Sequence, residues 1–200
     1  MGSLPAVVDF DAPSDKVLSP SFLAHVVLRT GKLKEMVDFY TTFLGAHVTH
    51  GNDFLCFITY DHEHHRIALV QLPETGPKVN ASAGLHHIAF TFASLSDLLL
   101  SYRQRKAKGF LPAWCVNHGP TISIYYKDPD GNMLETQVDC FDTPAEATEY
   151  MMGKEFAENP IGVDFDPEDF IDRIRRGEPE ANLKRRPDIG PRGPPNLDDA

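Results

Sequence analysis

Leu23-Ala24-His25-Val26-Val27-Leu28 and Leu85-His86-His87-Ile88-Ala89-Phe90 are two apolar runs of strand character, each with a histidine in third place. After the first, Leu33, Met36, Val37, Tyr40 and Leu44 recur at helical spacing up to a stop at Gly45. After the second, Leu95, Leu98, Leu99 and Tyr102 do the same up to Gly109, with Ser94 or Ser96 as the cap. A self-similarity at this period means two copies of one β-α-β-β-β unit, each too small to close its own core. The expected fold is therefore α+β, with the two halves packed together.

Outward from these runs, Phe54 to Thr59 and Arg66 to Leu72 read as further strands, and Pro73 to Gly84 as a linker. The paired modules then occupy residues 20–76 and 83–140 of a domain spanning 20–140. Residues 1–19, acidic with two prolines, form an N-terminal arm. Residues 141–200 form an extension with a helix after Thr143, another capped by Asp166-Pro167, and a charged, proline-rich end that is mobile or wrapped on a partner.

Two hundred residues suffice to enclose an active site. A net charge of -10 argues against nucleic acid and anionic membranes, which would repel the chain, and leaves a small molecule as the expected partner. Cys56, Cys115 and Cys140 are odd in number and contain no CxxC, so the chain suits a reducing, cytoplasmic setting. No leader-like or membrane-spanning stretch is evident.

Either histidine alone suits a hydrogen-bonded core residue. Their equivalence across the duplication favours convergence of His25 and His87 on a metal ion. A third donor for iron(II), manganese(II) or a similar divalent ion would be a carboxylate, and Glu135 is the candidate. It follows the turn Asp128-Pro129-Asp130-Gly131-Asn132 within Met133-Leu134-Glu135-Thr136-Gln137-Val138. There a carboxylate must be paired, metal-bound or turned to solvent.

The stretch Val116-Asn117-His118, then Ile124-Tyr125, Asp128-Pro129-Asp130-Gly131 and Glu135, resembles the signature of type I extradiol dioxygenases in the vicinal-oxygen-chelate superfamily. The likeness spans roughly residues 22–140 and includes Phe39-Tyr40 before Leu44-Gly45. It implies that His25, His87 and Glu135 hold iron(II) on one face, leaving the other to an aromatic diol and O₂ as co-substrate. Glu63-His64-His65-Arg66 resembles the family's paired-histidine strand, which implies an acid/base role for His65. The resemblance also makes Tyr125 a hydrogen-bond donor to a ring oxygen and places His118 at the rim of the site. Phe54, Phe57, Trp114 and Phe110 are the expected pocket lining.

Many such enzymes carry two such domains where this chain has one, so a homo-oligomer is expected, with the extension as contact surface or lid. Glyoxalase I is the first rival. It takes a fourth, carboxylate ligand from the first module, at the position aligned here with Leu69, although Gln71 stands close by. Epimerases and thiol transferases of the same scaffold tolerate the three ligands, whereas metal-free binding proteins of the bleomycin-sequestering type lack them.

Overall fold

The computed structural model describes residues 9–195; residues 1–8 of the arm and 196–200 of the tail lie outside the described residues. The first module runs β1 (Val26–Thr30), α1 (Leu33–Phe43), β2 (His47–Gly51), β3 (Leu55–Thr59) and β4 (Ile67–Gln71). The second repeats it as β5 (His87–Thr91), α2 (Leu95–Ala107), β6 (Trp114–Asn117), β7 (Thr121–Lys127) and β8 (Met133–Asp139). The extension adds α3 (Pro144–Met151), α4 (Lys154–Glu158), β9 (Val163–Asp164), α5 (Pro167–Arg175) and α6 (Glu180–Lys184).

The α+β fold of two βαβββ modules is thus what the chain adopts. One sheet has the order β1-β4-β3-β2, the other β5-β8-β7-β6-β9. In each, the module's first strand lies parallel to its last and the other pairs are antiparallel. Positive φ at Gly45 and Gly109 ends the two long helices where a side chain would be strained. Ser94, not Ser96, caps α2 by accepting from the Asp97 N–H; Ser96 instead donates to Glu180 of α6.

Strand alternation sends Ile58, Ile67 and Leu69 of one sheet and Ile122, Ile124, Tyr126 and Leu134 of the other toward the helices. With Met36, Tyr40, Phe43, Leu95 and Leu98 they form one continuous core. Arg105 of α2 is buried there, donating to the Phe43 carbonyl at 2.9 Å with its guanidinium 4.0 Å from the Phe43 ring. Phe110 packs edge-on against Phe39, 5.2 Å between centroids, so it belongs to this helix side and not to the expected pocket lining. The Asp128 carboxylate closes its turn by accepting from Asp130 N–H, Asn132 N–H and the Tyr40 hydroxyl.

Two expectations shift by a residue or two. The first strand starts at Val26, because the carbonyls of Leu23 and Ala24 accept from the Arg66 guanidinium instead of joining the ladder. The register also moves the fourth-ligand position. Ala89 pairs with Glu135 in the second module, and the matching pair in the first is Val27 with Ala68. Ala68 is therefore the counterpart of Glu135, while Leu69 faces the core, fully buried.

Candidate active site

The face of the second sheet opposite the helices carries the chemistry. Residues alternate along β7 and β8, so Ser123, Tyr125 and Glu135 share this face with His87 on β5, and Tyr125 sits directly across from Glu135. Glu135 is 5 % exposed, and its Oε2 lies 3.0 Å from His87 Nε2. Burial pushes the Glu135 carboxyl up, but hydrogen bonds from His87 and Ser123 outweigh it and hold the group below its ordinary range. The hydrogen bond to Glu135 raises the His87 imidazole despite its own burial. Burial and the neighbouring carboxylate raise the Tyr125 phenol, which stays protonated.

Tyr125 is enclosed on its other sides. Trp114 stacks on it with centroids 5.2 Å apart, and His118 Nε2 lies 3.0 Å from its hydroxyl. Burial pushes the His118 imidazole down, so it is neutral. The Trp114 indole donates to Asp164 at 2.7 Å, and Asp164 in turn accepts from Arg192 at 2.8 Å.

A second group forms where the first module begins. His65 is buried, stacks on Phe57 at 4.5 Å and lies 4.3 Å, centroid to centroid, from His25. Burial, with the nearby His25 and His64, lowers the His65 imidazole, which is likewise neutral. Phe57 thus meets the expected lining by way of His65, whereas Phe54 is mostly exposed.

Of the three ligand candidates, His87 and Glu135 are brought together and His25 is not; it stands exposed beside His65. Among the described residues no three His, Cys, Asp or Glu side chains gather closely enough to share an ion. The donor set nevertheless suits a divalent iron or manganese, because imidazole with carboxylate is the ligand mix such ions take.

Sequence reading missed Ser123, whose hydroxyl supports the carboxylate, and the residues of the extension that hold His118 and Trp114. Ser123 could have been found from alternation, lying two places before Tyr125; the extension left no comparable signal. No helix among the described residues is long and apolar enough to cross a membrane.

Two sheets built from βαβββ modules, with imidazole, carboxylate and phenol on one face of the second, define a scaffold whose family the sequence shows. Residues 22–136 match the Glyoxalase/Bleomycin resistance protein/Dioxygenase superfamily, and the chain belongs to it. Among its relatives is "Biphenyl-2,3-diol 1,2-dioxygenase 2" of Rhodococcus globerulus, 51 % identical over 74 % of this chain and 78 % of that one. "Biphenyl-2,3-diol 1,2-dioxygenase 3" of the same organism is 46 % identical over 82 % and 87 %. A solved glyoxylase/bleomycin resistance protein/dioxygenase domain from Frankia sp. EAN1pec shares the fold with TM-score 0.51 at 18 % identity, covering 60 % of this chain and 93 % of that one.

Proposed function

We propose that this protein is an iron(II)-dependent extradiol dioxygenase that opens the ring of a catechol-like diol, with a biaryl diol as its substrate class. The observation that carries the reading is the buried Glu135 carboxylate paired with His87 and flanked by Tyr125 and His118 on one open face. Relatives with the biphenyl-diol name at about half identity support the substrate class.

In this reading His87 and Glu135, with His25 from its exposed place before β1, would hold the ion. Held there, iron(II), or manganese(II) in its stead, would supply Lewis-acid stabilisation of a deprotonated diol and the redox chemistry that O₂ requires. The chain's own residues do the rest. Tyr125, protonated throughout, turns its O–H from His118 to a ring oxygen and so orients the diol. Trp114 offers a flat wall beside it. His65, neutral and shielded by Phe57, gives and takes the proton that ring opening moves, a role typically worth about 10²- to 10⁴-fold. Ser123 keeps Glu135 in place.

Ala68 opposite Val27 leaves no fourth carboxylate where a glyoxalase would want one. The free Cys56, Cys115 and Cys140 suit a reducing cytoplasm. Residues 20–140 form the catalytic unit, and self-association completes the open face of the first sheet.

Anaerobic iron(II) loading followed by oxygen uptake with a panel of catechols and biaryl diols tests the reading. Uptake by the wild type, with a fall of about 10²-fold or more in His65→Ala, is expected. A protein that consumes no oxygen with any diol but isomerises a glutathione thiohemiacetal would refute it.

A further inference from the structure

His118 belongs to the domain matched by the family, but what holds it comes from the extension beyond residue 136. Arg186 Nη1 donates to the His118 carbonyl at 3.1 Å and to the Asn159 carbonyl at 2.6 Å, and its Nη2 donates to the Glu155 carbonyl at 2.9 Å. One guanidinium thus ties the chain at His118 to the 155–162 segment. Its plane lies over the Tyr150 ring of α3, 5.6 Å from the centroid.

The two segments touch closely. Gly162 has φ +108, and a Cβ there would come within 2.3 Å of the Asn117 carbonyl oxygen and 2.8 Å of His118 Cα. On the other flank, Gly119 lies under Tyr150, where a Cβ would meet the ring at 2.4 Å. The Asn159 side chain shapes the 159–162 turn, accepting from Ile161 N–H and Gly162 N–H. The result of that turn is the Ile161 carbonyl, aimed at His118 Nδ1 within hydrogen-bond distance.

A carbonyl oxygen can only accept, so Nδ1 carries the proton. In a neutral imidazole Nε2 is then a bare lone pair, and it faces the Tyr125 hydroxyl at 3.0 Å. We propose that Arg186 is a positioning residue: by fastening the 155–162 segment to His118 it locks the Nδ1–H tautomer, so that His118 presents an acceptor to Tyr125. The effect on turnover rests on the dioxygenase reading; the tautomer itself does not.

Histidine ¹⁵N NMR of the full-length, metal-free chain reads the tautomer, His118 being assigned by its loss in His118→Gln. The wild type is expected to be protonated at Nδ1. Arg186→Ala is expected to shift His118 toward the Nε2–H form, Arg186→Lys to restore it in part, and Arg185→Ala, on an exposed neighbour, to leave it unchanged. In oxygen uptake, Arg186→Ala is expected to lower kcat about 10-fold with KM changed far less. Retention of the Nδ1–H form in a folded Arg186→Ala, or its equal loss in Arg185→Ala, overturns the proposal. Should the alanine variant fail to fold, Arg186→Gln and Arg186→Lys carry the same readout. A wild type with Nδ1–H His118 but no oxygen uptake with any diol refutes the dioxygenase reading and leaves the positioning role standing.

Discussion

Glu135 is a carboxylate that the chain buries beside the hydrogen-bonding side chains of His87 and Ser123, and its worth to the protein lies in its charge. Glu135→Gln keeps the shape and removes that charge. Outer partners of metal ligands typically cost 10- to 100-fold when lost, so iron(II) affinity in this variant is expected to fall by more than about 100-fold in an anaerobic titration. The pairing with His87 also fixes a pH dependence. His87 holds its proton more tightly folded than at its ordinary value of 6.5, so its contribution to metal-free stability is full below that value. It is lost as pH rises through the raised folded value. Glu135 runs the other way, its contribution present above 4.5 and lost as pH falls through the lowered folded value. Because a ligand imidazole must be neutral, iron affinity is expected to climb as pH rises through the His87 transition. An affinity that is flat or falls across that range would count against His87 as a donor.

At the level of elements, what was legible had a local cause. Thr143 caps α3 in a capping box with Glu146, and Asp166 caps α5 ahead of Pro167, both as the residues announce. The Asp128 to Asn132 turn is equally local. β2 was implied by the β-α-β-β-β pattern but not located, because all five of its residues are exposed and His47-Val48-Thr49-His50-Gly51 offers no apolar alternation to read. β9 has two residues and exists by pairing with the edge of β6, a tertiary fact. Its approach depends on Gly162. Gly162→Ala strains a positive φ and drives Cβ into the Asn117 carbonyl, so about 3 kcal/mol of stability is expected to be lost in urea denaturation, toward the upper end of ordinary single substitutions. A loss near zero would mean that the contact between the extension and the domain is loose.

For the molecule as a whole, duplication made the two modules legible, and the family resemblance singled out Glu135 and Tyr125, which the strand ladder then sets opposite each other. The expected convergence of His25 on His87 and Glu135 was more than the duplication could say: equal positions in two modules do not tell how the modules face each other, and His25 stands beside His65. Nor was the tail legible. Expected to be mobile or wrapped on a partner, it is fastened to its own domain as far as it is described, by Arg186 at His118 and Arg192 at Asp164. Its sequence carries the charges but not their partners, which lie far off along the chain. What joins these pieces in the proposed reading is a single reaction on the open face of the second sheet. Mass spectrometry of the product formed by the iron-loaded protein from biphenyl-2,3-diol under ¹⁸O₂ tests it. Both oxygen atoms of one O₂ molecule are expected in each ring-opened product; a diol returned intact, or a product without label, would contradict ring cleavage by this chain.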